Sequence, residues 1–339
     1  MWATPSIQAV KDAYPQARVS VLLREGMGSL LSADPAIYKI FEAKNHKNDG
    51  FFRTVTDNLG FIASLRREKF SVVIDLRADE RGAFNAYLTG APYRAAMFYR
   101  GVSFFRNHLF THLVDPFPPD DDGTPGAARQ SLRIIRAFGI REKTCVPRLY
   151  MADGMEERVQ RLLTENIAAS VQWISLNPFS RWEYKEWRRD KWAALIDWLW
   201  DEYSLAAVIV GSEGEKGRAD EIRRACRGMV YNLAGRTTLA ELAGLLRLSR
   251  LHIGVDSAAP HIAAAMGTPT VTIYGPSDWR DWAPVGEKHT VIVSPMDCVP
   301  CRQKGCDDKG ISKCLEELAV EDVQDGVREM LTRIKDQAL

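Results

Sequence analysis

The chain has 339 residues, which is more than one hydrophobic core usually serves and suits two domains. Its net charge is +1, so no overall field favours nucleic acid as a partner. No apolar run is long enough to cross a bilayer, and no charged-then-apolar signal peptide is found. We therefore expect a cytoplasmic protein whose six cysteines are reduced.

Strand-like and helix-like segments alternate along the chain, which predicts an α/β protein with parallel sheets. In the first half, apolar runs at residues 17–23 and 71–76 predict buried strands. Helices are predicted at residues 5–14, 53–69 and 127–138, and an irregular Pro/Asp/Gly-rich loop at residues 115–124. The sequence opens inside a helix, whereas such domains usually open on a central strand. We therefore expect the first strand and its turn to be missing from this sequence.

The alternation continues in the second half, and we place the domain boundary near residues 143–153. Helices are predicted at residues 155–168, 190–203, 215–227, 238–248 and 321–335, and strands at residues 172–177, 206–211 and 230–233. Helices of this length between short apolar strands favour a second parallel sheet.

The most informative stretch is LHIGVDSAAPHIAAAMGTPTVTIYGP, residues 251–276. It predicts a strand, a polar turn, a short Ala-rich helix and another strand. Asp256 and Ser257 are suitable N-cap residues, and Pro260 is tolerated in a helix's first turn. Free amides and a helix dipole at residues 257–259, beyond the carboxyl end of a strand, form an anion site. We expect the anion to be the phosphate of a nucleotide or sugar nucleotide.

A second candidate turn, NPFSRWEYKEW, follows the predicted strand at residues 172–177, where open α/β sheets bind ligands. It offers the hydroxyl of Ser180, the charge of Lys185 and several aromatic rings. Lys185 is a suitable point charge for a diphosphate. The alternative is a surface loop with a solvated lysine.

Two further turns fall at the same predicted sheet edge. In VIVGSEGE, Glu213 or Glu215 could accept hydrogen bonds from ribose hydroxyls, or could simply favour a helix start through the dipole. In NLAGRTTL, Thr237 or Thr238 suits a helix N-cap. Convergence of all four turns on one edge favours a nucleotide site over any single assignment.

Two other features have structural alternatives. His261, one turn into the predicted phosphate-site helix, could reach a ligand, although a lone histidine is more often structural. Cys298, Cys301, Cys306 and Cys314 form C-x2-C-x4-C-x7-C, in which one CxxC is a candidate half-site for structural zinc. Two disulfides or a thiol-rich loop are the alternatives. The distance in sequence from the nucleotide motifs argues against a catalytic metal.

These motifs resemble those of the ADP-heptose:lipopolysaccharide heptosyltransferases, glycosyltransferase family 9, over nearly the whole chain. The four-cysteine segment resembles a branch that includes the third-heptose transferases. The matching segments are ATPSIQAVKDAYPQARVSVLL, NPFSRWEYKEW, NLAGRTTLAELAGLL, GVDSAAPHIAAAMGTPTVTIYGPSDWRDWAPVG and CVPCRQKGCDDKGISKCL. The D-S-x-x-x-H-x-A-A-A block with the following G-x-P-T strand is the most specific of them.

The resemblance implies a GT-B fold, in which two Rossmann-like domains with parallel sheets face a cleft. Residues 1–148 would form the acceptor-side domain, residues 149–320 the nucleotide-sugar domain, and residues 321–339 a C-terminal helix. The implied activity is inverting transfer of heptose from ADP-heptose to the lipopolysaccharide inner core. No cofactor and no nucleic acid are implied. The enzyme would work in the cytoplasm, peripherally at the inner face of the inner membrane.

Site residues also follow from the resemblance. Lys185 matches the family's basic donor-phosphate residue, and Ser180 lies near its hydroxyl contact. Glu213 lies near the ribose-binding acid, with Glu215 as the alternative, and Thr237 falls where adenine is bordered. The diphosphate and heptose turn and its helix are matched by Asp256, Ser257, Ala258 and His261.

One departure concerns the general base. The family's proposed base is an aspartate after the first strand, which would lie just before Met1, and we expect the chain as given to be impaired in catalysis. Asp75 ends another strand, without a motif to support it. The alternatives are a transferase for another activated sugar, or a non-catalytic nucleotide-sugar-binding protein. Basic residues that could meet a phosphorylated acceptor are Arg66, Arg67, Arg77, Arg81, Arg100 and Arg106.

Overall fold

The structure is a computed structural model that describes residues 1–44, 51–76, 79–101, 104–116, 126–168 and 171–336, with the backbone only at residues 51–56 and 104. Arg77 and most of the Pro/Asp/Gly-rich run lie outside the described residues. The strands are β1 Ser20–Arg24, β2 Lys39–Ala43, β3 Val72–Asp75, β4 Tyr93–Met97, β5 His112–Val114, β6 Trp173–Asn177, β7 Ala206–Ile209, β8 Val230–Asn232, β9 His252–Val255, β10 Thr270–Tyr274 and β11 His289–Val293. The helices are α1 Thr4–Ala13, α2 Phe51–Arg67, α3 Glu80–Leu88, α4 Phe104–His108, α5 Arg129–Ala137, α6 Met155–Asn166, α7 Arg189–Tyr203, α8 Lys216–Ala225, α9 Leu239–Leu248, α10 Ala258–Ala265, α11 Trp279–Trp282, α12 Lys313–Glu317 and α13 Val320–Asp336.

The C-terminal half is built on a six-stranded parallel sheet with strand order β11-β10-β9-β6-β7-β8. The chain runs outwards through β7 and β8 on one side of β6, and through β10 and β11 on the far side of β9. The order therefore reverses between β6 and β9, which makes this pair the topological switch point. Strands β7, β9 and β10 are buried along their whole length, as expected for parallel strands covered on both faces.

Helices cover both faces of this sheet. On one face Val323 and Val327 of α13 and Trp192 of α7 pack with Ile273 of the sheet in the largest core cluster. On the other face α6 and α9 pack together, with Val159, Leu245 and the sheet residue Val208 in one cluster. The terminal helix thus belongs to the C-terminal core, because its apolar stripe is needed to bury the sheet.

The N-terminal half contains two smaller parallel sheets, β1-β2 and β3-β4-β5. Residues 17–23 and 71–76 contribute strands β1 and β3 as predicted, but the prediction that these strands are buried is wrong. Leu22 in β1 is 37% exposed and Val72 in β3 is 50% exposed. Both strands lie at the edge of a small sheet, so their side chains lack neighbours on the open side.

The two halves are packed against each other. Leu31 and Leu149 share a core cluster with Leu246 of α9 and with Ile262 of α10. The N–H of Leu149 donates to the carbonyl of Ala265 at 2.9 Å. The helix that follows the switch-point turn is therefore supported by Leu31 from the N-terminal half and by Leu149 from the segment that joins the halves.

Most predicted elements are present within a few residues of their expected ends. Strands β2, β4, β5 and β11 and helices α3, α4, α11 and α12 were not predicted, because they are short or carry many polar residues. Within the described ranges, every helix is too short or too polar to cross a bilayer.

Candidate functional site

The candidate site lies at the switch point, where β6 and β9 end side by side. Asn177, the last residue of β6, is in register with Gly254 of β9. The hydroxyl of Ser257, just after β9, donates to Oδ1 of Asn177 at 2.7 Å. Open α/β sheets bind ligands at this place because the turns after the two strands diverge and leave a crevice.

The structure brings Lys185 to Asp256, although the two residues are 71 positions apart. Lys185 Nζ lies 2.6 Å from Asp256 Oδ2, and the two side chains are 21% and 11% exposed. The hydroxyl of Ser180 donates to the backbone carbonyl of Asp256 at 3.1 Å. The two sequence motifs therefore form one site with a partly buried cation at its centre.

The N-terminus of α10 faces this cluster with its amides uncapped. Ser257 is the N-cap residue, but its side chain makes no capping hydrogen bond because it is bound to Asn177. The first N–H groups of the helix, at Ala258 and Ala259, therefore stay available to an anion, which the helix dipole also favours.

A buried hydroxyl close to the same turn lacks an acceptor. Tyr274, the last residue of β10, is fully buried, and its hydroxyl has no hydrogen-bond partner among the described residues. Burial and then the charge of Asp256 raise the pKa of Tyr274, so the phenol keeps its proton. A buried donor without an acceptor is costly unless a ligand or water supplies one.

His261 is buried beneath the turn. Its ring packs edge-on against Trp2, with ring centroids 5.2 Å apart. Burial lowers the pKa of His261 to about 4, with Asp256 opposing and Lys185 reinforcing the shift. The imidazole is therefore neutral near pH 7, and its contact with Trp2 also supports the structural alternative.

Sequence reasoning missed the residues that hold the Ser180 loop. Glu186 Oε1 accepts the Ser180 N–H at 2.9 Å, and Arg218 donates to both carboxylate oxygens at 3.0 and 2.8 Å. Arg218 also lies over the Phe179 ring. Burial raises the pKa of Glu186, although the Ser180 N–H and the Arg218 charge oppose this. Glu186 stands in the NPFSRWEYKEW motif, but only the fold reveals its partner 32 residues away.

The two glutamates after β7 make different contacts in the structure. Glu215 completes a capping box, with the Ser212 N–H donating to Glu215 Oε2 at 2.6 Å. The Glu213 side chain is 74% exposed and approaches the next turn so closely that a Cβ on Gly235 would lie 2.0 Å from its Oε2. Glu213 lies 3.9 Å from Lys216 Nζ and takes no part in the capping box, so its exposed carboxylate can still face a ligand.

The two threonines after β8 also differ in their hydrogen bonds. Thr238 is the N-cap of α9, and its hydroxyl accepts the Glu241 N–H at 3.3 Å in a second capping box. Thr237 stands outside the cap and is half-buried. The turns after β9, β6, β7 and β8 thus line three strand intervals, about 14 Å, of one sheet edge.

The four clustered cysteines are free thiols, Cys298 exposed and Cys314 buried. The Lys313 N–H donates to Cys306 Sγ at 3.4 Å. Burial raises the pKa of Cys314 to about 11, with Cys301 and the other two thiols adding to the effect. Across the described ranges no three His, Cys, Asp or Glu side chains are arranged to hold a metal ion. The structural zinc stays a prediction.

The expectation that Arg106 meets an acceptor is wrong. Its side chain is fully buried, 3.3 Å from the Asp75 carboxylate, and its guanidinium lies over the Phe110 ring. Arg106 on α4 is paired with Asp75 at the end of β3, and such pairing is what allows the two charges to be buried. Other arginines of the set are exposed as expected, namely Arg66, Arg67, Arg81 and Arg100.

Uncapped helix amides, a partly buried lysine and a sheet switch point lie together in an α/β protein of two packed halves, an arrangement suited to an anion. The model of glycosyltransferase family 9 (heptosyltransferase) matches residues 59–312. The chain therefore belongs to glycosyltransferase family 9.

Three known proteins are similar to this chain over most of their length. Lipopolysaccharide heptosyltransferase 3 of Escherichia coli (strain K12) is 29% identical over 289 residues, covering 82% of this chain and 80% of the relative. The glycosyl transferase family 9 structure from Veillonella parvula DSM 2008 has a TM-score of 0.81 at 19% identity, and the match covers 98% of this chain and 93% of that structure. The E. coli ADP-heptose lps heptosyltransferase II structure has a TM-score of 0.79 at 20% identity, and the match covers 98% of this chain and 95% of that structure. The expected GT-B fold is confirmed.

Proposed function

We propose that the protein transfers heptose from ADP-heptose to a sugar hydroxyl of the lipopolysaccharide inner core, with inversion at the anomeric carbon. The observation that carries this proposal is the Lys185–Asp256 cluster beneath the uncapped amides of α10, at the switch point. Family membership supports heptose transfer, and the names of the relatives support ADP-heptose and lipopolysaccharide as substrates.

The donor would lie along the carboxyl edge of the C-terminal sheet. Lys185 and the amides after Ser257 would hold the diphosphate, and the unpartnered hydroxyl of Tyr274 offers a further donor. Glu213 would accept the ribose hydroxyls, and Thr237 would border the adenine. The length of this edge suits an extended nucleotide better than a single phosphate ion.

In the proposed step the acceptor hydroxyl attacks the anomeric carbon as the bond to the β-phosphate oxygen breaks. The acceptor proton passes to a general base, and the electron pair leaves with ADP. Lys185 and the dipole of α10 stabilise the negative charge that develops on ADP, without requiring a divalent cation. We assign no described residue as the base, because the N-terminal carboxylate Asp75 is held in the buried pair with Arg106.

The acceptor side is proposed to contact an anionic membrane surface. Arg66, Arg67 and Arg81 are exposed, and Phe84 and Tyr87 on α3 are exposed beside them in the same half. Cations with neighbouring aromatic rings suit phosphate-bearing lipid headgroups. We expect co-sedimentation with anionic but not zwitterionic vesicles, and loss of it in an Arg66→Glu/Arg67→Glu variant that still binds ADP.

The direct test combines binding with turnover. Calorimetric titration with ADP, UDP and GDP should show binding of ADP in preference to the other two. Incubation with ADP-heptose and a heptose-deficient core acceptor should release ADP, and NMR of the product should show the opposite anomeric configuration to the donor. Preference for UDP or GDP would favour a transferase for another sugar.

A second candidate function is sugar-nucleotide binding without transfer. It is favoured by the pairing of Asp75 with Arg106, which leaves the base unassigned. Tight ADP-heptose binding with no ADP release, under conditions where a known family member turns over, would establish it.

A further inference from the structure

A cavity of about 320 Å³ opens beside Lys185. Three loops form its walls: Tyr184 and Lys185 after β6, residues 276–282 after β10, and Arg302 with Gln303 in the cysteine-containing segment. Its volume is at the lower end of the range for small-molecule sites. The cavity therefore has room for one small group next to the lysine of the phosphate cluster.

The two carboxylates of the cavity walls are already paired with arginines. Arg302 donates from Nη2 to Asp278 at 2.7 Å and to Asp281 at 3.1 Å. Asp278 also accepts a hydrogen bond from Arg280, and Asp281 accepts one from Arg129. Neighbouring donors and acceptors suit hydroxyl groups, each of which both donates and accepts hydrogen bonds.

The backbone fixes Arg302 at this wall. Its N–H donates to the carbonyl of Pro276 at 2.7 Å, and its φ of 61° lies in the left-handed region. The cysteine-containing segment is therefore docked on the loop after β10 and presents Arg302 and Gln303 to the cavity. This gives the segment a place beside the site, although in sequence it lies far from the phosphate motifs.

We propose that this cavity holds the sugar of the sugar nucleotide, and that Arg302 and Gln303 determine which sugar is accepted. The inference rests on the proposed function, since it takes Lys185 as a phosphate ligand. The sugar is joined directly to the diphosphate, so a donor held at Lys185 places its sugar beside that residue. Asp281 also accepts a hydrogen bond from Arg129 of the N-terminal half at 2.6 Å. The sugar would thus lie where an acceptor bound by that half could reach it.

The test compares ADP with ADP-heptose by calorimetry on the full chain. Arg302→Ala and Gln303→Ala should leave the Kd for ADP unchanged and raise the Kd for ADP-heptose about tenfold and about fivefold, from the usual contributions of charged and neutral hydrogen bonds. Gln303→Ala leaves the Arg302 ion pairs intact. Lys304→Ala, an exposed neighbour outside the cavity wall, is the control and should change neither Kd.

Two results would overturn the inference while leaving the proposed function standing. One is equal weakening of ADP and ADP-heptose by Arg302→Ala and Gln303→Ala. The other is unchanged ADP-heptose affinity in both variants. If the unmodified protein bound no adenine nucleotide at all, the proposed function would fail and this inference with it.

Discussion

Replacing Lys185 tests the centre of the proposed donor site. Its ammonium group lies 2.6 Å from Asp256, at the uncapped end of α10. A hydrogen bond to a charged group contributes about 1.5–3 kcal/mol, or about 10- to 150-fold in Kd. Because Lys185 exchanges Asp256 for phosphate rather than gaining a partner, we expect the lower part of that range. Lys185→Met should raise the Kd for ADP about 10- to 30-fold.

The same substitution also affects stability, and the two effects must be separated. Lys185→Met leaves the mostly buried Asp256 carboxylate without its cation. Breaking a fully buried pair costs about 3–5 kcal/mol, and the partial exposure of this pair makes the cost smaller. A Lys185→Met/Asp256→Asn variant removes both charges. It should recover the melting temperature without recovering ADP affinity.

Calorimetry with ADP and thermal unfolding supply the two readouts. Lys288→Ala, an exposed lysine outside the site, is the matched control. An unchanged Kd for ADP in Lys185→Met, with the protein folded, would remove Lys185 from the donor site. Recovery of affinity in the double variant would show instead that unpaired Asp256, and not the missing cation, had weakened binding.

Three further outcomes follow from the site. Glu213→Gln should raise the Kd for ADP several-fold with little change in melting temperature, whereas Glu215→Ala should mainly lower the melting temperature through loss of its capping box; the reverse pattern would exchange their roles. His261 has a folded pKa of about 4, below its usual 6.5, so its NMR signals should not titrate between pH 5.5 and 8. Between about pH 6.5 and 4 only the unfolded state takes up a proton on His261, so this residue should lower the free energy of unfolding as the pH falls through that range. An NMR titration midpoint near pH 6.5 for His261 in the folded protein would contradict its burial. Transfer should persist in EDTA, and elemental analysis of the purified protein will show whether the cysteine segment carries zinc.

Much of the donor half could be predicted from local pattern. Strands β6, β7 and β9 are rich in apolar residues because both sheet faces are covered, and such segments stand out in a sequence. The turn at Asp256 and Ser257 carries small and polar residues that a strand-to-helix phosphate turn requires. The N-terminal half was harder, because β4 and β5 are short and partly polar, and periodicity cannot identify such strands.

The tertiary structure shows which member of a pair of candidate residues already makes a local hydrogen bond. Glu213 and Glu215 are equally acidic and two positions apart, and only the capping box shows that Glu215 is already used. Arginine is usually a surface residue, but Arg106 is buried because the fold places it against Asp75 at the end of β3. A contact between residues far apart in the chain, such as Arg106 with Asp75, cannot be read from the neighbours of either residue in the sequence.

The sequence by itself determined most elements of the C-terminal half, the polar turn at Asp256 and Ser257 and the family resemblance, because strand length, helix caps and short motifs are local properties of the chain. The tertiary structure decided the strand order, and with it the switch point that places Lys185 against Asp256 across 71 positions. It also decided that the cysteine segment lies beside the proposed sugar cavity. These facts depend on which strands become neighbours, and that is settled by burial of the whole sheet rather than by any one segment.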